Sequence, residues 1–99
     1  MDIIVQHTVR DYDAWKPAFD ENEPERAKYG CRGHTIYRDP DKPNDVTIFM
    51  SWDSRDRAEE FMRSDSLREA MQNGGVTSEP RATWLEEQET SSYASRRAA

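Results

Sequence analysis

The stretch "DVTIFMSWD", residues 45–53, alternates apolar and polar side chains almost without a break. In an extended chain Val46, Ile48, Met50 and Trp52 share one face, and Thr47, Phe49 and Ser51 share the other. The pattern predicts a strand with one dry face and one mixed face. Such a strand needs hydrogen-bonding neighbours and a cover for its dry side, and the flanking segments have to supply both.

Residues 3–9 repeat the pattern, with Ile3, Val5, His7 and Val9 on one side and Ile4, Gln6 and Thr8 on the other. "GHTIYRDP" reads as a strand that turns through "DKPND", so residues 33–53 form a β-hairpin. "PRATWLEEQE" supplies a fourth strand. The segment from Arg10 to Gly30 carries Tyr12, Trp15, Ala18 and Phe19 at helical spacing, with Asp11 or Asp13 as its cap. Pro17 lies in or just past the first turn, where a missing N–H costs little; Pro24 predicts a kink or a split. From Ser54 to Gly75 a second helical segment turns Ala58, Phe61, Met62, Leu67, Ala70 and Met71 inward. It starts at Asp53 or Ser54. It breaks at Ser64–Asp65, where Ser66 and Glu69 form a capping box, and it stops at Gly74-Gly75.

The order β-α-β-β-α-β predicts an α+β, ferredoxin-like fold, an antiparallel sheet with two helices on one face. Residues 1–89 make the domain, and "TSSYASRRAA", residues 90–99, reads as a flexible tail. A chain of 99 residues, 34% of them apolar, buries only a modest core. The helix-free face of the sheet carries Ile4, Gln6, Thr8, Thr47, Phe49 and Ser51, a mixture too apolar for an ordinary wet surface. A homodimer through that face would cover it.

The net charge of −6 argues against nucleic acid. No apolar run reaches the roughly eighteen residues that cross a membrane. The start, "MDIIVQHTVR", lacks the features of a signal peptide, and the cytoplasm is the expected location. Lys16, Lys28 and Lys42 are the only lysines among many arginines and acids, which fits either a salt-tolerant source or an arginine-rich genome. One cysteine, Cys31, excludes an internal disulfide; with His34 it offers two metal ligands, too few for a site. No nucleophile elbow, phosphate loop or dinucleotide fingerprint occurs. His7 is the one group on the helix-facing side of the first strand whose ordinary pKa lies near neutrality.

"HTVRDYDAWKPAFDE", "FMSWDS" and "FMRSDSLREAM" resemble the dimeric α/β-barrel superfamily, close to the antibiotic-biosynthesis-monooxygenase type of domain, over roughly residues 2–89. The resemblance implies a sheet-to-sheet dimer with a cleft in each subunit between the sheet and its own helices. Members include oxygenases that act on quinol-like or polyketide aromatics without metal or flavin, so no cofactor is expected. Other members degrade haem, with a Trp and a ligating His in the second helix and an Asn in the first strand. Here Phe61, Met71 and His7 stand at those positions, and no histidine lies between Asp53 and Gly75, so the haem pattern is not met.

A cleft of that kind would be faced by His7, Trp15, Phe19, Met50, Trp52, Phe61 and Met71, a slot suited to a small, planar, apolar or aromatic molecule. Tyr37 and Arg38 are candidate partners whose direction depends on strand register. His7 would be the base of a cofactor-independent monooxygenase, taking a proton from a phenol or quinol whose anion then reacts with dioxygen. Two other readings remain: a non-catalytic dimer that binds a small ligand or serves in stress, and a cyclase or isomerase using the same base. Each residue also has a plainer reading. Trp15, Phe19, Phe61 and Met71 are core at helical spacing, Trp52 is core or a lid, and His7 is a hydrogen-bonded structural histidine.

Overall fold

Asp11 stands in an extended conformation and accepts a hydrogen bond from the backbone N–H of Asp13 at 3.2 Å, which starts the first helix. The computed structural model describes residues 1–94. Its elements are β1 (Asp2–Thr8), α1 (Tyr12–Glu21), α2 (Glu23–Lys28), β2 (Cys31–Arg38), β3 (Asp45–Trp52), α3 (Arg55–Met62), α4 (Asp65–Gly74) and β4 (Arg81–Leu85). The strands form one antiparallel sheet in the order β2-β3-β1-β4. This is the ferredoxin-like arrangement that the strand and helix order predicts, with β1 and β3 central.

The alternation of β3 is realised as a burial pattern. Val46, Ile48, Met50 and Trp52 are all buried, and Thr47, Phe49 and Ser51 between them are only half-buried. On β1, Ile3, Val5 and His7 take the buried side, and Val9 follows them just past the strand. Trp15, Ala58 and Phe61 from the helices complete the core. On the opposite face Ile4 and Phe49 are register partners and half-buried, with no helix over them. They sit among polar pairs: Ser51 Oγ donates to Asp2 Oδ1 at 2.7 Å and Thr8 Oγ1 to Asp45 Oδ1 at 3.0 Å.

Pro24 splits the first helical segment, as expected. The chain breaks at Asn22 and restarts with Pro24 in the first turn of α2, where its missing N–H has no helical partner to lose. The second segment also breaks where predicted, but the cap differs. Ser64, not Ser66, is the N-cap of α4: its Oγ accepts from the backbone N–H of Leu67 at 3.2 Å. Ser66 lies inside the first turn and donates to Asn22 Oδ1 at 2.9 Å, tying α4 to the α1–α2 junction.

Two strand boundaries shift. β2 starts earlier, at Cys31, because a bulge between Cys31 and Gly33 keeps that end paired with Trp52 and Ser51. β4 covers only half of the predicted segment. Its ladder runs from Gln6↔Arg81 to Asp2↔Leu85, and β1 then has no residue left to pair with 86–89. Thr90–Ala94 carry no regular structure and are exposed, and the rest of the predicted tail, 95–99, lies outside the described residues. Among the described residues no helix is long and apolar enough to cross a membrane.

Candidate functional site

The period of two along β1 turns His7 toward the helices, between Val5 and Val9. On α1, Trp15 and Phe19 lie one turn apart with ring centroids at 5.0 Å. The indole of Trp15 also meets the imidazole of His7 edge-on, at 5.6 Å and 72°. Between the helices and the sheet these residues wall a cavity of about 300 Å³. Val5, Ile48, Met50 and Ala82 form its floor on the sheet; Phe61, Met62, Leu67, Ala70 and Met71 line its helical side; Glu79 and Pro80 stand at the approach to β4. The volume is at the lower end of small-molecule sites.

Four polar side chains, His7, Asn22, Arg26 and Glu79, break this apolar lining, and two of them carry buried nitrogens without a partner. His7 is 8% exposed, and its Nδ1 is buried with no hydrogen-bond partner in the protein. Burial lowers its pKa, against a weaker opposing effect of a backbone hydrogen bond, so the imidazole is neutral near pH 7. Arg26 on α2 is 3% exposed. Its Nη1 donates to the carbonyl of Phe19 at 2.7 Å, and the guanidinium lies 3.7 Å from the centroid of the Phe19 ring. Its Nη2 is buried and meets no acceptor. Among the described residues no carboxylate comes within ion-pair distance of Arg26. Burial lowers the Arg26 pKa, and the fields of Cys31, Glu23 and Asp20 partly restore it; a guanidinium stays protonated under any such shift. A buried cation with unused donors costs several kcal/mol in general, about 3–5 when a buried pair is broken.

Six of the nine residues proposed for the site line this cavity: His7, Trp15, Phe19, Met50, Phe61 and Met71. Trp52 does not. It is 1% exposed and packed against Phe61 at 5.3 Å between ring centroids, a core position beyond the cavity wall. Tyr37 and Arg38 lie elsewhere too, because the register sets Tyr37 opposite Thr47 on the helix-free face and Arg38 opposite Val46 on the other. Both line a second, open and polar groove of about 470 Å³, with Gln6, Asp45, Ser78 and Arg81. His7 borders both spaces. Arg38 is occupied at this place: its Nε donates to the carbonyl of Pro43 at 2.8 Å and its guanidinium covers the ring of Tyr12 at 4.0 Å.

Among the lining residues that the sequence reading missed, Arg26 and Asn22 are the buried polar ones. A signal existed. Trp15, Phe19, Asn22 and Arg26 follow the 4-3-4 spacing of one continuous helical stripe, so two polar residues occupy inward positions inside the acidic run "DENEPE" and just after it. The break at Asn22 does not disturb that phase, since α2 carries Arg26 inward. His34, on β2, packs edge-on to Phe19 at 4.9 Å but is exposed, and burial and the charge of Arg26 lower its pKa. No cluster of three His, Cys, Asp or Glu side chains that could hold a metal occurs among the described residues.

The arrangement brings a neutral imidazole with an unpartnered Nδ1 and a guanidinium with an unpartnered Nη2 to the lining residues of one cavity. The first can accept a proton; the second can hold an anionic oxygen.

Solved structures of similar shape include a candidate antibiotic biosynthesis monooxygenase from Bordetella bronchiseptica, with a TM-score of 0.77 and 16% identity over 89% of this chain and 96% of that one. SnoaB, a cofactor-independent oxygenase from Streptomyces nogalater, aligns with a TM-score of 0.69 and 18% identity over 88% of this chain and 93% of that one. A candidate antibiotic biosynthesis monooxygenase from Caulobacter crescentus CB15 gives 0.70 and 13% over 89% of each chain. At these identities the likeness is one of fold. No curated protein matches the chain. The sequence profile described as "Antibiotic biosynthesis monooxygenase" matches residues 11–73, from the N-cap of α1 to the last turn of α4, and so takes in every helix that walls the cavity. On that match, which covers more than half of its length, the chain belongs to the antibiotic biosynthesis monooxygenase family.

Proposed function

We propose that the protein is a cofactor-independent monooxygenase acting on a small aromatic or polyketide-like phenol, with His7 as the base. The observation that carries this reading is the buried, unpartnered Nδ1 of a neutral histidine on the wall of a cavity of aromatic size. A phenol, or an anthrone in its enol form, gives its proton to the imidazole. The electron-rich anion passes an electron to dioxygen, and recombination forms a peroxide at a ring carbon. Loss of water from that peroxide leaves a quinone carbonyl. One oxygen atom enters the product, the other leaves as water, and the proton held by His7 returns in that step. General base catalysis of this kind is worth about a hundred- to ten-thousand-fold.

Family membership and the likeness to a cofactor-independent oxygenase support the reading. Its test is oxygen uptake with a panel of dihydroxynaphthalenes and anthrones, for the natural protein and for His7→Ala. Uptake that depends on protein and collapses in a folded His7→Ala variant is the expected result. Uptake no faster than the uncatalysed reaction, or unchanged by His7→Ala, would overturn it.

One observation favours a second reading, a binding protein without turnover. The α3 and α4 side of the cavity is wholly apolar, from Phe61 to Met71, and offers no further acid or base. Under either reading the working form is a homodimer joined through the helix-free face of the sheet, which covers Ile4 and Phe49.

A further inference from the structure

Arg26 is an expensive residue to place where it is. Its guanidinium is fixed on two sides, by the Phe19 carbonyl at 2.7 Å and by the Phe19 ring at 3.7 Å. A lysine or a glutamine could not make both contacts with one flat group. Of its other donors, Nη2 is buried without an acceptor, and the residue lines the cavity. The nearby acids do not serve it. Asp20 is held by Lys16 at 2.7 Å, Glu23 is exposed, and Glu79, the single carboxylate among the lining residues, is exposed and makes no ion pair with Arg26. A structural arginine in a core ends on a carboxylate or on several carbonyls. This one has no acceptor at Nη2, in a residue that lines an apolar cavity.

We infer that the molecule bound in this cavity is an aromatic acid, whose carboxylate takes the free edge of Arg26 while its ring lies in the apolar slot. A carboxylate is the acceptor that a pre-set guanidinium edge fits best, and in a site screened from water a charge-assisted pair of this kind discriminates strongly. Phe19 then has two tasks, one as a wall of the slot and one as the platform that aims Arg26. The inference rests on the proposed function only in taking this cavity as the ligand site. It narrows the phenols of that proposal to those that carry an acid group in reach of α2.

The test compares naphthoate with naphthamide, which share shape and differ in charge, by quenching of tryptophan fluorescence and by calorimetry on the whole chain. Naphthoate is expected to bind the natural protein about ten- to a hundred-fold more tightly than naphthamide. Arg26→Gln is expected to erase that difference, weakening naphthoate far more than naphthamide, and Arg26→Lys to recover part of it. Equal binding of the two probes to the natural protein would overturn the inference, and this comparison needs no variant to fold. A preference for naphthoate that survives in a folded Arg26→Gln protein would overturn it as well. Neither probe undergoes turnover, so the outcome is separate from that of oxygen uptake. Selective naphthoate binding with no oxygen uptake on hydroxylated substrates would remove the monooxygenase and keep the acid site.

Discussion

Gly74 presses its Cα against the indole of Trp15. A Cβ placed on Gly74 would lie 2.9 Å from Trp15 Cδ1 and 3.4 Å from the Cβ of Ala18. The contact joins the last turn of α4 to α1, and the same indole meets His7 edge-on. Alanine is the better helix former, by about 1 kcal/mol, so a free position would favour it. Here the added methyl has to move Trp15. Gly74→Ala is therefore expected to lower stability by about 1–3 kcal/mol in urea unfolding. The displaced indole moves toward the cavity, so aromatic ligands bind more weakly. A Gly74→Ala protein more stable than the natural one would show that Trp15 is not held there.

The pH dependence of stability follows from His7. Its pKa is lowered by burial in the folded chain, while the unfolded chain protonates near the ordinary value of 6.5. Above that value neither state carries the proton and the full stability is present. As the pH falls into the window between the two pKa values, only the unfolded state takes up the proton, and stability is lost. His34 is shifted the same way and adds to the slope. Urea midpoints measured at about pH 7.5 and about pH 5 are expected to fall for the natural protein and to fall less for His7→Gln, whose side chain does not titrate in this range. Superimposed profiles would mean that the buried imidazole does not sense the difference.

His7 and Arg26 show what could be read before the structure and what could not. The alternation in residues 3–9 and 45–53 places His7, Met50 and their neighbours on the covered face, because a period of two leaves each side chain only two directions. Helical spacing likewise brings Trp15, Phe19, Phe61 and Met71 inward. Tyr37 and Arg38 needed the register of β2, which a shift of one residue inverts and which no local pattern fixes. Trp52 belongs to the correct face, but whether a large residue lines a cavity or fills the core depends on what packs above it, here Phe61. Arg26 was hidden by its neighbours. Glu21, Glu23 and Glu25 make the segment look like a solvated surface, although position 26 continues the stripe begun by Trp15. The cap of α4 was misplaced because two serines, Ser64 and Ser66, both precede a glutamate or lie beside an acid, and only the hydrogen bond to Leu67 N decides between them.

The helix-free face gives a prediction about assembly. Phe49 is flanked by its register partners Ile4 on β1 and Thr35 on β2, at the middle of that face and away from the cavity. A charge there stays in water in a single copy and would be buried in a sheet-to-sheet pair. Phe49→Asp is expected to sediment as a monomer at concentrations where the natural protein sediments as a dimer, with the same helical content by circular dichroism. A natural protein that is monomeric at micromolar concentration, or a Phe49→Asp protein that still pairs, would move the interface elsewhere or remove it.

Ala70 tests whether the cavity is open space. It is half-buried on the α4 wall, beside Met71 and across from the sheet floor. A phenylalanine there extends into about 300 Å³ of space rather than into packed atoms. Filling a natural cavity commonly adds about 0.5–2 kcal/mol, which for a domain of this size raises the unfolding temperature by several degrees. The ring would occupy the slot in which the aromatic ligand is placed. Ala70→Phe is thus expected to unfold at a higher temperature and to lose binding of naphthoate and naphthamide alike, because the loss is steric and does not depend on charge. That separates it from Arg26→Gln, which weakens the acid far more than the amide. A gain in stability together with a loss of binding would identify the space as one left unfilled for a ligand, whereas a loss of stability would mean that the wall is packed and position 70 has nowhere to grow.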